Sequence, residues 1–257
     1  MKENLFYLEI EKFKKLVRQN PFNDEIYYQL GCACDRYGLP LEAIKAFQRV
    51  LELVPGDDCV LDYLGTLHNE IGDLEEAVKY HSSAIDLNPD EGSYYYNLGN
   101  AFLDLGRFQE SLDAYRKSIE LDDHQADVYD NLGIVCLELE DFEGAILAFS
   151  NSVQLDPGHV QARLRLSDCL VRQNRLSEAM QEYQKVIELE PKEHKAWLHL
   201  AYTQRDAGLL DDALQTLGRG LEKFPDDKYM HLHLAELYQR KGMDNLAQLH
   251  FKQASSD

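Results

Sequence analysis

Lysine and arginine are scarce in this 257-residue chain, 26 against 46 aspartates and glutamates, for a formal net charge of −20. That balance repels phosphate backbones and anionic headgroups, so neither nucleic acid nor a membrane surface is an expected partner. Long apolar runs are also missing. No stretch of about 18 apolar residues occurs, and no basic segment followed by an apolar core stands at Met1, so the sequence offers neither a membrane span nor a secretory signal. The five cysteines, Cys32, Cys34, Cys59, Cys136 and Cys169, are odd in number and lack CxxC spacing. They read as free, mostly buried thiols in a reducing compartment, and a cytoplasmic location is expected. P-loop, GxSxG, HExxH and GxGxxG signatures are absent, so the expectation is a non-enzyme without cofactor or metal.

Proline is sparse as well, seven in all, but its placement carries the main signal. Pro21, Pro55, Pro89, Pro157, Pro191 and Pro225 keep a 34-residue register, with Asp123 standing in at the remaining mark. Seven units follow from it, 24–57, 58–91, 92–125, 126–159, 160–193, 194–227 and a clipped 228–257, after a helical half-unit at about 3–20 within residues 1–23. Place 7 of every unit is leucine, from Leu30 and Leu64 through Leu98 and Leu132 to Leu234. Place 8 is always small, as in Gly31, Gly65, Gly99 and Ala201, and place 20 is alanine or serine. Place 24 is large: Phe47, His81, Tyr115, Phe149, Tyr183, Leu217 and Phe251. Two apolar runs at helical spacing, separated by Gly38, Gly72, Gly106, Asn174, Gly208 or Gly242, predict a helix, a turn and a second helix in each unit. Small residues let the paired helices approach closely, and proline ends the second helix because it lacks an N–H and disfavours helical backbone before it. A period of this length means stacked units, each burying its apolar face on the next.

Leucine, a small residue and an aromatic, then alanine, an aromatic and proline at these offsets resemble the tetratricopeptide repeat family over about 20–257. The resemblance implies an all-α, right-handed superhelical solenoid of about 15 helices that acts as a protein-interaction scaffold. The chain departs from the pattern at Asp123 in place of proline, at Glu140 in place of the turn glycine, and at Arg163 where a large apolar residue is usual. Gly220 weakens the last turn of its helix by roughly 1 kcal/mol.

The resemblance also implies that the first helix of each unit lines a concave face, with places 2, 5, 6, 9, 12 and 13 turned inward. Place 6 then reads Gln29, Tyr63, Asn97, Asn131, Arg165, His199 and His233, every one able to hydrogen-bond. With Tyr96, Asn100 and Asp130 beside them, Tyr63, Asn97, Asn131, Arg165 and His199 are the candidate peptide-binding residues. Units 58–91 and 126–159 carry −8 and −7, while 160–193 is neutral. This acidic belt suits a partner with a basic segment, or it serves solubility alone. Some family members, co-chaperones, grip a C-terminal carboxylate with two lysines. Tyr96 and Gln161 stand at those places here, so that mode does not fit. His199, His233 and Glu236 could share the inner face, but successive units lie too far apart for one metal ion. Three readings stay open: a scaffold that docks a peptide or partner protein, an assembly module that self-associates through its ends, and a fragment of a larger enzyme or co-chaperone.

Overall fold

Helix propensity and the 34-residue apolar skeleton give the same answer along the whole chain, which in a computed structural model folds as stacked helix pairs. The structure describes the backbone of residues 2–255 and the side chains from Leu8 onward. Among the described residues it contains fifteen helices and no strand. It divides into two compact units, Met1–Leu139 and Glu140–Asp257. The first holds α1 (Lys2–Gln19), α2 (Asp24–Arg36), α3 (Pro40–Leu53), α4 (Asp58–Glu70), α5 (Leu74–Leu87), α6 (Gly92–Asp104), α7 (Phe108–Leu121) and α8 (Ala126–Glu138). The second holds α9 (Phe142–Leu155), α10 (Val160–Arg172), α11 (Leu176–Leu189), α12 (His194–Asp206), α13 (Leu210–Leu221), α14 (Lys228–Arg240) and α15 (Asp244–Ala254).

In the first unit α2 packs on α3, α4 on α5 and α6 on α7, and each second helix packs on the next first helix. The first helices also touch one another directly, α4 with α6 and α6 with α8. They therefore form a continuous face of their own, the surface on which places 5, 6 and 9 are displayed. The second unit repeats the pairing with α10 and α11, α12 and α13, and α14 and α15.

The core is built where small residues meet large ones. A methyl group added at Gly65 would lie 2.5 Å from the His81 ring, and one at Gly99 would lie 2.6 Å from Tyr115, so place 8 must be small for the place-24 ring to seat. Gly220 has the same kind of cause. Its Cα faces Met230, whose sulfur would lie 2.9 Å from an added Cβ, and α13 ends at Leu221. At the turn between paired helices the backbone goes left-handed, and Glu140 at φ 59° and Asn174 at φ 57° do so without being glycine.

Burial departs from a uniform repeat at three places. Leu98 and Leu132 are half-buried, whereas Leu64 is fully buried. Place 7 lies about 100° around the helix from place 6, so its cover depends on side chains reaching over from the neighbouring helix. Cys59 is exposed at the start of α4, its sulfur 3.5 Å from the Tyr94 hydroxyl, while Cys34, Cys136 and Cys169 are buried. Arg163 is buried like the apolar residue it replaces, because Glu182 pairs with it and its Nη2 donates to the Pro157 carbonyl at 2.8 Å.

Candidate functional site: the first-helix face

The place-6 side chains do not stand alone on their helices. In the first unit, buried His81 on α5 donates from Nδ1 to Asp62 Oδ1 at 2.6 Å, and Asp62 Oδ2 accepts from Asn97 Nδ2 at 2.8 Å. One repeat later, Tyr115 on α7 donates to Asn100 Oδ1 at 2.6 Å, and the same oxygen accepts from Asn131 Nδ2 at 2.9 Å. Asn131 Nδ2 also lies 3.4 Å from the Tyr96 hydroxyl. In the second unit Tyr183 on α11 donates to Asp168 Oδ1, which His199 Nδ1 meets at 3.0 Å. The three arrangements share one plan. A polar ring at place 24 holds an acceptor at place 5 or 9 of its own repeat, and that acceptor holds place 6 of the next repeat.

In the first repeat, where place 24 is Phe47, the same three positions make an aromatic cluster. Phe47 stacks on Tyr63 with centroids 5.5 Å apart, and Tyr28 meets both rings edge-on at 5.6 and 6.1 Å. Tyr63 remains 42% exposed. Burial raises the Tyr28 hydroxyl above the ordinary phenol value, with its hydrogen bond to Tyr63 adding to the effect.

Around the second-unit relay an open pocket of about 290 Å³ is lined by Asp168, Arg172, Tyr183, His199, Tyr202 and Asp206, among others. Burial pushes the Asp168 carboxyl up, but hydrogen bonds from His199 and Tyr183 outweigh it and leave the group below the usual carboxylate value. Burial and the Asp168 charge push the neighbouring Cys169 thiol up to about 11. Tyr202 lies between two imidazoles, 6.4 Å from the His199 ring and 4.5 Å from His233.

All eight candidate residues thus lie on first helices, six on the first unit and two on the second. Tyr63, Tyr96, Asn97, Asn100 and Asn131 belong to the linked groups described above. Asp130 is buried in α8, and Arg165 is half-buried in α10. Sequence reading missed the anchors His81, Tyr115 and Tyr183. Their signal was available, as a polar group at a place otherwise filled by Phe47, Phe149, Leu217 and Phe251. His199 and His233 do not share a ligand position. The Nδ1 atom of His199 faces Asp168, and that of His233 lies 3.0 Å from Glu236. The described residues that bring three potential metal ligands together are Asp57, Asp58 and Cys59, and Asp122, Asp123 and His124. Asp57 caps α4 through the Val60 N–H, Asp58 accepts from Asn88 and Tyr94, and Asp122 closes the Asp123 turn through the His124 N–H.

Comparison with solved structures finds the same architecture repeatedly. The crystal structure of YrrB, a tetratricopeptide protein with an unusual peptide-binding site, is 23% identical and aligns over 75% of this chain and 99% of its own, with a TM-score of 0.65. MamA is 26% identical over 65% of this chain and 97% of its own, TM-score 0.61. The C-terminal part of a repeat protein from Cytophaga hutchinsonii is 18% identical over 89% and 94%, TM-score 0.75. Among curated proteins, none matches. No helix among the described residues is long and apolar enough to cross a membrane. A general tetratricopeptide profile matches residues 24–57. The profile of the cilia and flagella-associated protein 70 C-terminal domain matches residues 46–257, most of the length, and the chain therefore belongs to that family of tetratricopeptide-repeat domains.

Proposed function

We propose that this chain is a non-catalytic docking module of the ciliary or flagellar machinery, which takes an extended segment of a partner protein along its first-helix faces. The carrying observation is the row of polar place-6 side chains held in fixed orientation beside the exposed Tyr63 ring. Oriented amides and aromatics on rigid helices suit recognition of an extended backbone. Charge points to the partner's chemistry: residues 1–139 hold 27 acids against 12 bases, −15 of the net −20, so the segment facing them is basic. The family name and the peptide-binding site of YrrB support the same reading.

Calorimetric titration of a captured partner segment tests it. The Asn97→Ala/Asn131→Ala double variant is expected to bind at least tenfold more weakly, while a change at the 65% exposed Leu147 of α9, Leu147→Ser, leaves binding as in the parent. Full affinity in the double variant with loss in Leu147→Ser would move docking to the second helices. A second reading, self-association, is favoured by Leu246, Leu249 and Phe251, exposed together on α15. Light scattering that shows mass rising with concentration would select it.

A further inference from the structure

We infer that the relays fix the chemical sense of the recognition row: each anchored place-6 side chain is locked as a hydrogen-bond acceptor, so the docked segment is one that presents N–H donors from arginine-type side chains. The inference rests on the docking reading above and deepens it.

An asparagine side chain carries an NH2 donor group on one branch and a carbonyl acceptor on the other. Asp62 and Asn100 meet the Asn97 and Asn131 amides with oxygen atoms, 2.8 and 2.9 Å from Nδ2. Both NH2 groups are therefore drawn back toward the preceding repeat, and Oδ1, the acceptor, is the branch turned away from it. The anchors keep this sense from reversing. Asp62 is a carboxylate held by His81, and it offers the incoming amide only an acceptor. Asn100 has its Oδ1 pinned by the Tyr115 hydroxyl, so the oxygen rather than the nitrogen faces Asn131. If Asn131 flipped, its carbonyl would confront the Asn100 oxygen at hydrogen-bond distance, with no hydrogen between them.

His199 obeys the same logic with different atoms. Asp168 Oδ1 accepts from Tyr183 and faces His199 Nδ1 at 3.0 Å, which in the neutral imidazole selects the Nδ1–H tautomer and leaves Nε2 as the acceptor. Three different side-chain pairs on two units thus present the same kind of atom. A guest carboxylate would meet lone pairs at these Oδ1 and Nε2 atoms, even though each amide nitrogen has a second N–H beside the one its anchor takes. A guanidinium carries five N–H donors and no acceptor, and the acid excess of residues 1–139 favours its charge. His81, Tyr115 and Tyr183 act as positioning residues, since they touch no guest and fix the atoms that do.

The test uses the whole chain and three short peptides of equal length in which glycine alternates with arginine, citrulline or glutamate. Citrulline keeps most of the N–H donors of arginine and removes the charge, so it separates donor reading from simple attraction. Arginine and citrulline peptides are expected to bind and the glutamate peptide not to bind. Tyr115→Phe keeps the ring packed on Gly99 but frees Asn100, and it should weaken both binders about tenfold with the thermal midpoint little changed. Binding by arginine alone, equal binding by glutamate, or full affinity in Tyr115→Phe each overturns the inference. So does a lack of binding by all three.

Should Tyr115→Phe fold poorly, the wild-type chain still decides the matter. Imidazole 15N spectra at mildly alkaline pH should show His199 with its proton on Nδ1, and the opposite tautomer refutes the locked acceptor. Side-chain amide signals of Asn97 and Asn131 keep the two readings apart. If peptides bind without moving those signals, the docking face itself is wrong; if the signals move but citrulline fails, only the donor inference falls.

Discussion

Glu140 adopts φ 59° at the turn where Gly38, Gly72, Gly106, Gly208 and Gly242 sit at 69–81°. A side chain with a Cβ is disfavoured there by roughly 1 kcal/mol, and Glu140→Gly should stabilise the chain by up to about that amount, less the greater entropy glycine gives the unfolded chain. A urea titration with a lower midpoint in the variant would refute this. Burial likewise splits the leucines that the sequence made look identical. Leu64→Ala, from a fully buried site, should cost about 2–5 kcal/mol, and the half-buried Leu98→Ala distinctly less. Equal losses would mean that exposure is a poor guide to packing here. The regular places were legible because every repeat must bury them alike. Those two partial exposures and the relays were not, since each relay joins side chains 15 to 19 residues apart within a repeat and 31 to 35 apart across two.

Among elements, α10 and α15 depart most from the shared pattern. Glu182 neutralises buried Arg163 across the α10–α11 contact and also accepts from Lys185 at the surface. Removing it leaves an uncompensated buried guanidinium, so Glu182→Ala should cost about 3–5 kcal/mol, whereas Lys185→Ala should stay within about 0.5. Similar costs for the two would place little of the charge out of water. At α15, His231 Nε2 donates to the Pro225 carbonyl at 3.0 Å, so its Nδ1 accepts from His250 Nδ1 at 2.9 Å. Tyr238 stacks on His250 from α14. Burial first, and then the nearness of His231, whose protonation disfavours a second charge beside it, hold the His250 imidazole below its ordinary value. Its folded value is thus lower than its unfolded one. The stability it contributes is present above about pH 6.5 and is lost as pH falls through the folded value. Protection against hydrogen exchange in 244–254, taken relative to the intrinsic rate at each pH, should fall below about pH 6.5 while α10–α13 stay protected, and a flat profile would argue against the pairing. The turn-and-helix order was readable from glycine and proline spacing. The histidine pair was not, because its two members sit on different helices.

At the scale of the whole molecule, the charge asymmetry makes a kinetic statement. With −15 on residues 1–139 and −5 on the rest, association with a basic partner should slow steeply as salt rises, since exposed charges are screened beyond about 8–10 Å near physiological ionic strength. Stopped-flow rates across a salt series check it, and rates indifferent to salt would leave the acidic residues to solubility alone.

The relays also change what counts as an exchangeable part. By sequence the module is a 34-residue block closed by the proline turn, and a protein engineer would cut there. The working cassette instead begins inside one first helix and closes inside the next, as Asp62 to Asn97, Asn100 to Asn131 and Asp168 to His199. Transplanting a block cut at proline would separate each reading side chain from the neighbour that aims it. A graft intended to carry recognition into another solenoid therefore has to cross its boundaries mid-helix and bring the place-24 ring along.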